Sequence, residues 1–137
     1  MMPPFAPDLT LQQILIRAAV IAIWFPFTFR ATTMLVRRIV LRGRDRIDID
    51  GNGQVDDTDS EAIRIGRIIG KCENVLILLL ILFDQGTGLA LIFAAKSLVR
   101  KDAISKNAEF YLAGTMVNFT ASLVLAYALR VTLSALP

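Results

Sequence analysis

With 137 residues the chain is sized for one domain, yet 55% of it is hydrophobic and its mean hydropathy is +0.57, more apolar residue than a soluble domain this small can enclose. The net charge of +3 and isoelectric point near 9.4 arise from basic residues that flank apolar blocks, a placement that fits anionic lipid headgroups and argues against nucleic acid. The single cysteine, Cys72, rules out an intrachain disulfide, and the lack of histidine removes the usual zinc ligand and the usual general base.

The first apolar block covers 11–35, long enough to cross a hydrocarbon core that needs about 20 residues. Nothing basic precedes it and no small-residue cleavage site follows. It is therefore expected to stay in the mature protein, as the first transmembrane helix of a unit spanning 1–36. Arg17 and Arg30 bracket its most apolar part and are expected to reach opposite interfaces; Pro26 is a candidate kink.

The next unit, 37–72, opens with Arg37, Arg38, Arg42, Arg44 and Arg46 and turns acidic at once. Its last part, 60–72, is amphipathic: Ile65, Ile68, Ile69 and Cys72 share one face and Arg64, Arg67 and Lys71 another. Thr58, Asp59 or Ser60 is the expected cap. A basic amphipathic helix of this type lies on a membrane surface.

Between these parts, 48–59 fits the twelve-residue EF-hand calcium loop. Asp48, Asp50 and Asn52 stand at the first three oxygen-ligand positions, and Gln54 stands where the backbone carbonyl ligates. Gly53 permits the sharp turn, and Asp56 can ligate through water. The final position calls for a bidentate Glu and holds Asp59, a shorter group that loosens coordination. Loops ending in Asp occur in dockerins, and this segment resembles a dockerin loop, although a second loop is missing. Turn-forming residues alone explain any three of these positions but not six in register. Calcium is thus the expected cofactor, because crowded carboxylates repel one another without a cation; a structural role is preferred over a regulatory one, since a sensor needs two states to bias and the sequence identifies none.

The remaining unit, 73–137, carries two apolar blocks. The block at 75–95 is interrupted by Asp84-Gln85-Gly86-Thr87-Gly88. A single crossing puts Asp84 near the bilayer centre, at about 2.5 kcal/mol or more unless it faces protein or water. A hairpin turning there has arms of only about nine residues, too short to span, so length favours a crossing with an interrupted helix. The block at 110–133 has no charge before Arg130. Placing 37–46 in the cytoplasm by the positive-inside rule leaves 96–106 outside if there are three crossings, against the same rule. Gly114, Asn118, Ser122 and Ala126, and likewise Gly86, Ala90 and Ala94, recur at four-residue spacing and form stripes suited to close helix packing.

The stretch 66–122 resembles an uncharacterised family of bacterial inner-membrane proteins, a domain of unknown function. The match rests on Gly66-Arg67-Ile68-Ile69-Gly70, Glu73, Gln85, Ala94-Ala95-Lys96-Ser97-Leu98 with Arg100, Glu109-Phe110-Tyr111-Leu112, and Gly114-Thr115. It implies residence in a bacterial inner membrane and no chemistry. Glu73, Lys96, Arg100 and Glu109 fall near expected helix ends and read as interface markers, and Ser97 and Lys96 are adjacent and point apart on a helix. The expectation is an all-α, multi-pass integral membrane protein with about three membrane-embedded segments, an extramembrane EF-hand-type loop and an amphipathic helix. It is expected to be a non-enzymatic, calcium-binding subunit or scaffold in a homo-oligomer or with partner membrane subunits. The alternative is a small channel or transporter component with a polar path at Asp84 and Gln85.

Overall fold

The computed structural model describes residues 9–41, 48, 53–99 and 101–136. They form four helices: α1 (Leu11–Ile39), α2 (Asp57–Leu82), α3 (Thr87–Val99) and α4 (Lys101–Ala135). No strand occurs among the described residues. Helix α1 starts with a capping box: Thr10 accepts from the Gln13 backbone N–H, and the Gln13 side chain accepts from the Thr10 N–H at 2.9 Å. It continues as helix through Pro26 and ends with Arg37 and Arg38 beside its negative dipole end.

Helix α2 starts in the same way but two residues earlier than expected, on Asp56. Its side chain accepts from the N–H groups of Thr58 and Asp59, and Asp59 accepts in return from the Asp56 N–H at 3.1 Å. The helix then runs unbroken across the expected boundary at 72/73. The amphipathic stretch and the first half of the second apolar block are one rod.

The expected helix at 75–95 does not exist as one element. The chain turns over Phe83 to Gly86, with Asp84 at φ +60, and α3 folds back along α2. Gly88 lies so close to Leu80 that a Cβ there would meet it at 2.8 Å, and further along Lys96 reaches Glu73 at 2.6 Å. This is the hairpin that the arm-length argument disfavoured. That argument counted the first arm from residue 75, whereas the arm is the whole 26-residue α2.

Paired contacts fix the directions. Thr32 meets Asn74, Trp24 meets Leu125 and Arg17 meets Leu136, so α1 is antiparallel to α2 and α4. Asn74 meets Ser122 and Ile81 meets Arg130, so α2 and α4 run parallel, with α3 returning between the ends. The turn-end half of the bundle is apolar: Ile77, Leu78, Ile81 and Leu82 pack on Ala126, Leu129 and Leu133, with Val20, Trp24 and Phe25 closing the side. The other half is polar inside.

Two helices are long and apolar enough to cross a membrane, Leu11–Ile39 and Leu112–Ala135, and Thr87–Lys96 is a shorter apolar helix. Only 11% and 17% of the most apolar windows of the two long helices are buried within the protein. A core helix of a soluble protein would be mostly covered. Instead Ile23, Leu91, Val124 and Val131 face outward, as does a stripe on α2 made of Ile65, Ile69, Cys72, Leu76, Leu79 and Phe83. Arg17 turns toward the end of α4. It is buried, and its guanidinium donates to the Leu136 carbonyl beyond the last turn of α4.

Candidate polar site inside the bundle

The polar half is built by three helices that each place a small or amide side chain on the bundle axis. Ser122 donates its one hydroxyl proton between Asn74 Oδ1 at 2.5 Å and the Asn118 carbonyl at 2.7 Å. Asn74 donates to Thr32 Oγ1 at 2.8 Å, and Thr32 donates to the Thr28 carbonyl at 2.9 Å. Asn74, Ser122, Thr32 and Thr28 are essentially inaccessible to solvent. The Thr28 hydroxyl, one turn deeper, has no hydrogen-bond partner. Below it the apolar half begins.

Toward the opposite end, Asn118 Nδ2 donates to the Gly70 carbonyl at 3.4 Å and to Glu73 at 3.3 Å, and Lys96 of α3 lies 2.6 Å from the same carboxylate. The Lys96 and Glu73 side chains are only 15% and 12% exposed and form an ion pair that ties α3 to α2. This network opens into a cavity of about 310 Å³ bordered by Arg37, Gly66, Arg67, Glu73, Lys96 and Thr115, among others. Gly66 and Gly114 leave the space: a Cβ on either would meet nothing within 4 Å. Gly66, Arg67, Gly70, Glu73, Lys96, Gly114 and Thr115, far apart in the chain, all border this one cavity.

Sequence reasoning identified the Gly114–Asn118–Ser122–Ala126 stripe; Asn118, Ser122 and Ala126 are buried between helices, and Gly114 borders the cavity. The stripe Gly86, Ala90 and Ala94 is exposed instead; Gly88 makes the close approach. Asn74 and Thr32 were missed. Their signal was a threonine pair four residues apart, Thr28 and Thr32, inside an apolar helix, and an amide at the start of an apolar run.

Asp84 and Gln85 occupy an exposed turn, not a buried path. Asp84 pairs with Arg130 at 2.6 Å, and that hydrogen bond, followed by the charge of Arg130, holds its carboxyl below the ordinary carboxylate range. The apolar packing of Ile77, Leu78, Leu129 and Leu133 separates this turn from the polar network. Ser97, Arg100 and Glu109 lie outside the described side chains.

Of the calcium-loop residues, Asp50 and Asn52 lie outside the described residues. Asp48 accepts from the Gly53 N–H at 2.8 Å, and Gly53 adopts φ +84, a turn only glycine takes without strain. Gln54 is exposed. Asp56 and Asp59 form the capping box of α2, with Asp59 buried, so both have a role that needs no ion. No group of three or more His, Cys, Asp or Glu suited to a metal occurs among the described residues. Neither a known protein family, nor a curated protein, nor a solved structure matches the chain.

Proposed function

We propose that the chain is a multi-pass integral protein of a bacterial inner membrane, serving as a non-enzymatic subunit or scaffold of a larger membrane assembly. The observation that carries this reading is the distribution of polarity: apolar side chains face outward from α1 and α4 while amides, hydroxyls and an ion pair bind the helices inside. Lipid covers the outer surface. Arg17 and Arg37 are 20 residues apart on α1, about 30 Å at 1.5 Å per residue, the thickness of a hydrocarbon core.

The hairpin also favours one orientation. It sets Lys96 beside Glu73, at the same end as Arg37, Arg67 and Lys71, so both basic segments share a side and the positive-inside rule is obeyed with that side cytoplasmic. The outward stripes on α2 and α3 are the faces on which a second copy or a partner subunit packs. Calcium at 48–59, ligated by Asp48, Asp50, Asn52, Gln54, Asp56 and Asp59, orders the start of α2. The Gly53 turn and the Asp48 bond that holds it support this reading.

Membrane placement is tested with single cysteines, Ser60→Cys and Gln85→Cys, in a Cys72→Ser background. An impermeant thiol reagent is expected to label the first only from the cytoplasmic face and the second only from the other. Labelling of both from one face, or recovery of the chain as an aqueous monomer, ends the proposal. Calcium is tested by calorimetry on the purified protein: no heat of binding at millimolar calcium removes the ion from the reading.

A further inference from the structure

We infer that the cavity at the basic end of the bundle is a binding site for a phosphate-bearing anion. Three helices each contribute one cation to its wall, Arg37 from α1, Arg67 from α2 and Lys96 from α3. Among the described side chains of that wall the one carboxylate is Glu73, which Lys96 and Asn118 engage. Among the described side chains the lining carries three cations and one carboxylate, over a floor of buried hydrogen-bonding groups. Guanidinium groups suit this ligand because their planar fork matches two phosphate oxygens at once. The volume, about 310 Å³, lies at the lower end of the roughly 300–1,000 Å³ of small-molecule pockets and accommodates a headgroup-sized anion. The space is created by the bare backbone at Gly66 and Gly114, which no neighbouring side chain fills.

Two sources present this chemistry, the headgroup phosphate of an anionic lipid and free phosphate from the aqueous side. The lipid source rests on the membrane placement proposed above; the aqueous source does not. The test measures binding to the full chain in phosphatidylcholine nanodiscs with and without phosphatidylglycerol, by native mass spectrometry, and titrates inorganic phosphate by calorimetry into the phosphatidylcholine discs. Arg67→Gln removes one fork, and Gly66→Leu fills the cavity without touching a charge. Arg38→Gln removes an exposed arginine of the same helix end that does not border the cavity.

The expected result is retention of phosphatidylglycerol, of inorganic phosphate, or of both. It should weaken about tenfold or more in Arg67→Gln and in Gly66→Leu, recover only in part in Arg67→Lys, which restores the charge but not the fork, and stay unchanged in Arg38→Gln. Retention of the lipid alone assigns the site to headgroups; competition by inorganic phosphate assigns it to the soluble anion. Equal losses in Arg38→Gln and Arg67→Gln, with Gly66→Leu binding normally, reduce the effect to a diffuse basic belt and overturn the inference. So does binding of neither probe while the protein still sits in the membrane, a result that leaves the placement standing.

Discussion

The ion pair between Glu73 and Lys96 is the only charged link described between α2 and α3, and its strength decides whether the hairpin closes. At 2.6 Å and an effective dielectric of about 20, the gross attraction is ~6 kcal/mol. Desolvating two mostly covered ions offsets much of that. Removing one partner leaves the other charge between helices without its 2.6 Å counter-ion, which costs about 3 kcal/mol, the low end for buried pairs because each group keeps some exposure. Glu73→Gln and Lys96→Met should therefore each destabilise strongly, whereas the double variant should recover a large part of the loss. The cycle is measured by reversible unfolding in mixed micelles, with helicity as the readout. A coupling free energy of about 2 kcal/mol is expected. A value under ~0.5 kcal/mol, with additive single effects, would refute the claim that this pair holds α3 to α2.

Three other predictions rest on the same geometry. Asn74→Ala should destabilise by about 1–2 kcal/mol, because Ser122 and Thr32 keep backbone acceptors at 2.7 and 2.9 Å and only the amide's own bonds and volume are lost. Asn74→Leu should lie closer to wild type in the same unfolding assay; a Leu variant worse than the Ala variant contradicts this. The Asp84–Arg130 pair sets a pH window. Its folded carboxyl is depressed, so its stabilisation is present above the unfolded value of about 3.9 and fades as pH falls through the lower folded value. The unfolding midpoints of wild type and Asp84→Asn should differ at pH 7 and converge below about pH 4. Asp84→Asn should still assemble, since the residue lies in an exposed turn; loss of solute flux on this change would favour the transport alternative.

Helices α1 and α4 were legible because long apolar runs between charges leave few alternatives. The break at Asp84 was legible too, from its turn residues, but its consequence was misjudged. Hydropathy divides α2 into a polar half and an apolar half at residue 73, whereas backbone hydrogen bonding does not respect that division. Once α2 is one rod, the hairpin has a full-length arm, and Lys96 comes back beside Glu73. The Glu73–Lys96 pair escaped notice because both residues looked like helix-end charges, and only the folded-back α3 makes them partners. The acidic loop stays where spacing left it, with its two middle ligand positions outside the described residues.

The lone thiol has a use that its packing suggests. Cys72 sits in the outward apolar stripe of α2, next to Lys71, with Arg67 a little over one turn below and Leu76 one turn above, at the height where oily and ionic surfaces meet. It is a built-in depth gauge. A spin label or fluorophore attached there, with no engineered residue, would report whether this level of α2 meets a headgroup plane.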